Sequence, residues 1–216
     1  MDSIVIAIFQ LVVLLFSVIV HEVSHGLAAL KLGDDTAKRL GRLTLNPIPH
    51  LDPFGSLILP ALLFLTSSPF MIGWAKPVPY NPGRLYKDFK YGPLKVALAG
   101  PASNLILAII FAIPARLLVG VLDPVLIGFM GIVVFINVLL ALFNLVPIPP
   151  LDGSNILTIL LPEKYSNMIQ SVGIWGIFIV IFLLSMFSRV LFSGVLNLSA
   201  IMAGEDVIIQ AFRILS

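Results

Sequence analysis

The feature that most constrains this chain is an apolar run over residues 4–32, which contains the pentapeptide HEVSH near its end. As an α-helix, at about 1.5 Å per residue, this run is longer than the ~30 Å hydrocarbon core of a bilayer. Apolar runs at 94–119, 125–146 and 168–187 predict further membrane-spanning helices. Only 11% of the 216 residues are charged. Soluble domains average about 25%, so the composition excludes a soluble globular protein.

Shorter features complete the predicted architecture. Residues 55–73 are apolar but interrupted by prolines and serines, and the tail at 189–214 is either a last span or a helix in the membrane interface. A weak alternation of apolar and polar residues at 40–45 predicts a small β-hairpin at the membrane surface. We therefore predict a single all-α polytopic membrane domain over residues 1–216, a helical bundle with about five or six membrane segments. The N-terminus lacks the basic region of a secretory signal, so we expect the first helix to be retained.

The motif HEVSH at residues 21–25 has the spacing of a zinc site. On a helix, His21 and His25 lie one turn apart on the same face, so both rings can reach a single zinc ion. Glu22 lies on the adjoining flank, where it can take a proton from a water molecule that the metal has acidified. The alternative is a polar plug between helices, but ionisable groups at membrane depth are costly and favour a functional site.

A catalytic zinc ion normally has three protein ligands, so a third ligand must lie elsewhere in the chain. Because the chain has no cysteine, the candidates are His50, Asp52, Asp123, Asp152, Glu163, Glu205 and Asp206. Asp152 is preferred because it follows the apolar run at 125–146 within the segment PIPPLDG, whose prolines and glycine can direct its side chain toward the bundle. The alternative for Asp152 is an N-cap of the next helix, although Ser154 is also available to cap it.

Three motifs in this order resemble the site-2 protease family of intramembrane zinc metalloproteases. They are HEVSHG at 21–26, GPASN at 100–104 and NLVPIPPLDG at 144–153. The segment LTLNPIPHLDPFGSLILP at 43–60 is similar to that of a compact prokaryotic type within the family. No insert is long enough for the PDZ or CBS domains that some members carry.

The resemblance implies functions for individual residues. His21, His25 and Asp152 would bind one zinc ion (Zn²⁺) per chain, Glu22 would be the general base, and Asn104 would orient the substrate or stabilise the oxyanion. It also implies an endopeptidase that acts in the lipid bilayer on a transmembrane peptide or membrane protein, as in regulated intramembrane proteolysis.

Several polar residues near the motifs have two interpretations. Taken without the resemblance, the amide of Asn104 is equally suited to donate to an oxyanion or to bond a neighbouring helix. Asn137 and Asn144 share one helix face, and both are interpreted as interhelical contacts. Asn144 is the better candidate to orient a ligand. His50 lies either near the site entrance or at the interface with a local hydrogen bond.

A site built from His21 and Asp152 also constrains the topology. Both residues lie at the exit ends of their apolar runs, so those two helices must be parallel, with the span at 94–119 opposite to them. A full crossing by residues 55–73 is then excluded, and we expect this segment to be re-entrant. Lysines and arginines flank it on both sides, which predicts that these loops and the site face the cytoplasm. The resemblance implies a prokaryotic cell membrane.

Two other classes of protein stay open at this point: a membrane transporter of metals or solutes, and a scaffold that binds membrane proteins without cleaving them. A transporter does not require Glu22 between the histidines and usually shows internal repeats, which are not detected here. The chain has no basic stretch interleaved with aromatic residues, so we do not expect a nucleic-acid partner. For a protease, we expect the strand at 40–45 to hold the substrate extended by edge pairing, with the loops at 34–53 and 74–93 admitting water.

Overall fold

A computed structural model describes residues 3–58, 62, 65 and 75–215. Within these residues the chain forms eight α-helices and no strand. The helices are α1 Ser3–Leu32, α2 Thr36–Arg39, α3 Gly92–Leu118, α4 Pro124–Asn144, α5 Asp152–Leu160, α6 Glu163–Val172, α7 Gly176–Ala203 and α8 Glu205–Leu215. Single turns of 3₁₀ or π-helix lie at Ile48–His50, Pro53–Ile58, Pro82–Arg84 and Gly173–Trp175.

Four of these helices, α1, α3, α4 and α7, are long and apolar enough to cross a membrane. The predicted all-helical, multi-pass membrane protein is therefore confirmed, whereas the described residues hold four candidate spans and not five or six. The predicted re-entrant segment at 55–73 falls largely outside the described residues, so its path stays a prediction.

The C-terminal half is divided differently from the prediction. The expected span at 168–187 is interrupted because α6 ends at Val172 and Gly173 follows with a φ of +49°, and a single helix, α7, then continues to Ala203. The last helix, α8, has 11 residues, about 16 Å in length, which is too short to span a bilayer. It packs on the glycines of α4, where a Cβ on Gly131 would lie 2.8 Å from the Val207 carbonyl oxygen.

The β-hairpin predicted at residues 40–45 was wrong. Helix α2 ends there in a Schellman motif, in which Gly41 has a φ of +66° and the Arg42 amide donates to the Ala37 carbonyl. The segment then continues as turns, closed by side-chain bonds such as that from the Asn46 amide to the Thr44 hydroxyl. The alternating apolar residues therefore lie on successive turns, and these residues offer no strand edge for a substrate.

Helix α3 lies at the centre of the bundle because small residues allow its neighbours to approach closely. Gly100, Ala108 and Ala112 recur at multiples of four residues on one buried face, and Asn104 belongs to the same row. Contacts from Asn104 to Ser17 and from Val96 to His25 show that α1 and α3 are antiparallel. The end of α1, the start of α3 and the end of α4 thus meet at one end of the bundle, as the topology argument required.

Candidate metal centre

Two histidines and one aspartate meet where α1 faces the start of α5. The Nε2 atoms of His21 and His25 are 3.1 Å apart, and Oδ2 of Asp152 lies 3.0 Å from the first and 3.2 Å from the second. Both histidines are buried, and Asp152 is partly buried. Ligands that share a zinc ion in tetrahedral geometry are about 3.3 Å apart, so the triangle has the size of one face of such a site.

The protonation pattern of the two histidines leaves three lone pairs facing one point. Nδ1 of His25 lies 2.7 Å from the Val96 carbonyl, which can only accept, so Nδ1 carries a proton and, in the neutral ring, Nε2 keeps its lone pair. Nδ1 of His21 lies 2.6 Å from Oδ1 of Asn104, with the same consequence. With both rings in this neutral form, Oδ2 of Asp152 has no hydrogen-bond donor among the described residues. Three acceptors at this separation repel one another unless a cation lies between them, so these residues fit a metal ion.

Gly100 provides the space for this cluster from the facing surface of α3. A Cβ at this position would lie 2.4 Å from Nε2 of His25 and 2.5 Å from Nε2 of His21. Any larger residue would therefore intrude on the ligand atoms.

Asp152 is brought to the histidines by close packing at the start of α5. A Cβ on Gly153 would lie 2.3 Å from the Leu145 carbonyl oxygen, so only glycine lets this turn lie against the end of α4. Asp152 is the first residue of α5, after an N-cap at Leu151 that makes no side-chain cap bond. Ser154 donates its hydroxyl proton to the Leu151 carbonyl, so neither of the two predicted capping side chains caps α5.

Glu22 is held by the extended segment at residues 75–81. Its Oε2 accepts a hydrogen bond of 2.7 Å from the Val78 amide. Gly26, one turn further along α1, makes this contact possible, because a Cβ there would lie 2.8 Å from Cγ1 of Val78 and 2.5 Å from Cδ2 of Leu43. Gly26 therefore packs on Leu43 and Val78 of the loops and on Ala37 of α2.

The segment at 75–81 is fastened at its N-terminal end by buried polar groups. The Lys76 amide donates to the His50 carbonyl over 2.8 Å, and the buried Arg42 side chain donates to the Lys76 carbonyl over 2.7 Å. Nε2 of His50 in turn donates to the Thr44 carbonyl. His50 therefore supports the wall of the site and is not part of the metal cluster.

Asp34 fastens the other end of the same segment. Its carboxylate accepts from the Asn81 amide and from both the amide and the hydroxyl of Thr36. Burial alone would raise the pKa of Asp34, but the hydrogen bonds from Thr36 and Asn81 outweigh it and hold the pKa below its ordinary value of 3.8. The fastening is thus made by a carboxylate anion.

These groups surround one cavity of about 210 Å³, which is lined by both histidines, Glu22, Asp152, Val78, Tyr80, Asn144 and Asn155 among others. It has room for several water molecules. Burial, with the nearby charge of Asp152, raises the pKa of Tyr80 above its ordinary value of 10, so the phenol keeps its proton at neutral pH.

Asn104 does not line this cavity. It is fully buried, its Oδ1 faces His21, and its Nδ2 donates to the Ser17 carbonyl and to Oδ1 of Asn137. Asn144, which we considered the better ligand-orienting candidate, lines the cavity and donates to its own helix at Leu140.

Sequence reasoning missed several residues that build the site, namely Gly100, Val78 and Tyr80. Asn137 was correctly interpreted as an interhelical contact, but its link to Asn104 was not predicted. Gly100 carried a usable signal, since it stands one helical turn before Asn104 in GPASN. The only cluster of metal-ligating side chains in the described part of the chain is formed by His21, His25 and Asp152.

A multi-pass helical bundle with a His-His-Asp cluster and a glutamate on one cavity defines the class of membrane-embedded metalloproteases. A profile described as "Peptidase family M50" matches residues 120–187. The chain is 38% identical over 213 residues to "Putative zinc metalloprotease YwhC" of Bacillus subtilis, covering 94% of this chain and 90% of the relative.

It is also 31% identical over 188 residues to "Putative zinc metalloprotease Rip2" of Mycolicibacterium smegmatis, covering 83% of this chain and 68% of the relative. A shorter match, 43% over 79 residues, covers 34% of this chain and 38% of "Putative zinc metalloprotease MJ0611" of Methanocaldococcus jannaschii. No solved structure gave a significant match. The chain belongs to peptidase family M50, the site-2 type of zinc metalloprotease, which confirms the resemblance, the zinc cofactor and the class of enzyme.

Proposed function

We propose that His21, His25 and Asp152 hold the zinc ion and that Glu22 is the general base of an intramembrane endopeptidase. The observation that carries this proposal is the triangle of three ligand atoms, 3.0 to 3.2 Å apart, on a cavity that Glu22 also lines. The catalytic unit is a single membrane-embedded domain over residues 1–216.

Zinc, when bound, supplies the Lewis acidity that polarises the scissile carbonyl and makes water more acidic. Glu22 takes a proton from the attacking water while the water oxygen bonds to the carbonyl carbon. It then passes that proton to the leaving nitrogen as the C–N bond breaks, so the products are a carboxylic acid and an amine. The Val78 amide bonds one carboxylate oxygen of Glu22 and so limits the rotation of a side chain that lines the cavity.

The substrate is a transmembrane segment of another membrane protein. An intact substrate helix hides its carbonyls in backbone hydrogen bonds, so it must unwind locally before it can enter a cavity of this size. The cavity wall at 75–81 has prolines at 77 and 79, which lack the amide protons that a continuous strand ladder needs. Contacts to the substrate there would use carbonyl groups and side chains.

The site lies toward the cytoplasmic face of a prokaryotic cell membrane. Nine of the thirteen lysines and arginines lie between residues 31 and 95, at the end of the bundle where α1 ends and α3 begins. The positive-inside rule then puts that end in the cytoplasm. Because the chain has no cysteine, single variants report sidedness. A thiol at the exposed position of Lys90→Cys should label only from the cytoplasm, and one at Val121→Cys only from outside; the reverse pattern would refute the orientation.

Glu22→Gln tests the function directly, because glutamine has the same shape but cannot accept the proton. Purified in lipid nanodiscs, this variant should keep one zinc ion per chain and lose at least about 100-fold in cleavage of a model transmembrane peptide. Glu205→Gln, the same change at an exposed acid of α8, should cleave at the normal rate. Cleavage by Glu22→Gln at the normal rate would exclude Glu22 as the base, and zinc retained in an Asp152→Ala variant would exclude the ligand set.

A further inference from the structure

A chain of buried amides connects the candidate ligand His21 to two other helices. His21 of α1 contacts Asn104 of α3 over 2.6 Å, and Asn104 donates to Asn137 of α4 over 3.0 Å. Asn137 donates in turn to the Val133 carbonyl over 2.9 Å. Asn104 and Asn137 are both 0% exposed, so bulk solvent does not reach these bonds.

We propose that Asn104 is a positioning residue that acts through His21, and that Asn137 determines which way the Asn104 amide faces. This inference rests on the proposed function of His21 as a zinc ligand. It replaces direct contact of Asn104 with substrate, since both polar atoms of its side chain already have protein partners.

The orientation of the two side-chain amides is determined by two backbone carbonyl groups, which can only accept hydrogen bonds. At its far end the Val133 carbonyl requires the Asn137 NH₂ group, which leaves Oδ1 of Asn137 facing Asn104. The Ser17 carbonyl, 3.3 Å from Nδ2 of Asn104, independently requires the NH₂ group of Asn104 on that side. Oδ1 of Asn104 must then face His21.

The consequence for His21 is a single tautomer. An amide oxygen 2.6 Å from Nδ1 makes Nδ1 the protonated nitrogen, which leaves the lone pair on Nε2, the atom that faces His25 and Asp152. Without the amide chain His21 could protonate Nε2, and a protonated nitrogen cannot bind a metal. Partners of this kind typically contribute 10- to 100-fold to metal affinity.

The first experiment measures zinc affinity by competition with a chelator in purified full-length protein, independently of cleavage. Asn104→Leu should weaken zinc binding by about 10- to 100-fold, and Asn104→Asp should recover part of that loss because its carboxylate still accepts from His21. A residue that only packs helices predicts the opposite order, since leucine suits a membrane interior better than aspartate. Asn137→Leu should weaken zinc binding by a smaller factor.

The matched control is Val134→Ala, a change at a fully buried position of α4 whose side chain belongs to the apolar core with Ala108 and Val138 and makes no hydrogen bond in the amide chain. It should lower thermal stability through the cavity it leaves while zinc affinity stays normal. If Val134→Ala weakens zinc binding as much as Asn104→Leu, general damage to the bundle accounts for the effect and the proposal is refuted.

The second experiment reads the tautomers by ¹⁵N-histidine NMR of the unmodified protein after zinc removal, and so does not depend on any variant folding. The chain has three histidines. His21 should be protonated on Nδ1, as should His25, whereas His50 should be protonated on Nε2, which donates to the Thr44 carbonyl. A neutral His21 protonated on Nε2 and not on Nδ1 would overturn the proposal.

The positioning function of Asn104 and the assignment of His21 as a zinc ligand can be refuted separately. Loss of zinc in His21→Ala combined with normal affinity in both Asn104 variants would overturn the positioning function alone. Normal zinc affinity in His21→Ala would overturn the ligand set and, with it, the proposed function.

Discussion

Gly100→Ala is the sharpest test of how the metal centre is built. The added methyl carbon would lie 2.4 and 2.5 Å from the two Nε2 atoms, whereas carbon atoms in contact prefer about 3.5 Å or more. At least one ring must therefore move by about 1 Å. Neither ring moves freely, because Nδ1 of His21 is bonded to Asn104 and Nδ1 of His25 to the Val96 carbonyl. Metal–ligand distances tolerate about 0.2 Å, so a shift of this size removes a ligand.

We expect zinc affinity to fall by at least about 100-fold, or roughly 2.7 kcal/mol, with cleavage reduced in proportion. The assay is chelator competition followed by metal analysis, with helix content checked by circular dichroism. The matched control is Gly194→Ala in α7, where no atom lies within 4 Å of the added carbon. Alanine there should leave zinc binding unchanged and stabilise the helix by about 0.5–1 kcal/mol. A Gly100→Ala enzyme with normal zinc affinity would show that the cluster does not bind metal in this geometry.

Three further outcomes follow from the segment at 75–81 and from the cofactor. Val78→Pro removes the amide proton donated to Glu22, so cleavage should fall about tenfold or more with zinc retained, and an unchanged rate would exclude this contact as an aid to catalysis. Asp34→Asn should lower the local stability at the Asn81 amide by about 2 kcal/mol at pH 7, which is measured as faster hydrogen exchange of that amide. The pKa of Asp34 is lowered from 3.8 in the folded protein. The stabilisation that its carboxylate gives to the segment is therefore complete above pH 3.8 and is lost as the pH falls through the lower pKa of the folded state. The difference in local stability between Asp34→Asn and the unmodified protein should therefore become smaller in acid. A difference that does not change with pH would show that the Asp34 carboxylate does not hold the segment as an anion. Removal of zinc by a chelator should abolish cleavage, and added zinc should restore it; activity that survives chelation would contradict metal catalysis.

Patterns that depend on local geometry were predicted well. The pairing of His21 with His25 follows from 3.6 residues per turn, and the apolar runs at 94–119 and 125–146 correspond closely to α3 and α4. The boundaries failed where a glycine ended a helix. Gly41 and Gly173, both with positive φ, turned a predicted hairpin into a capped helix and split a predicted span.

Contacts between residues far apart in the sequence could be predicted only where a motif or the topology connected them. Asp152 could be selected because it follows an apolar run within the segment PIPPLDG, and that choice in turn required its run to be parallel to the first helix. Nothing in the spacing of Asn137 distinguished it from Asn144, since both lie on one face of the same helix. The difference arises because Asn137 lies at the depth of Asn104, where α3 and α4 pack together.

The sequence by itself determined that this protein spans a membrane and carries two histidines and a glutamate on one helix, because apolar length and helical spacing are properties of the local chain. Only the tertiary structure decided how that helix becomes a metal centre. The space at Gly100, the bond between Asn104 and His21 and the amide that holds Glu22 each join residues at least 56 positions apart. Such contacts depend on how closely helices and loops approach one another, which packing decides and local sequence does not.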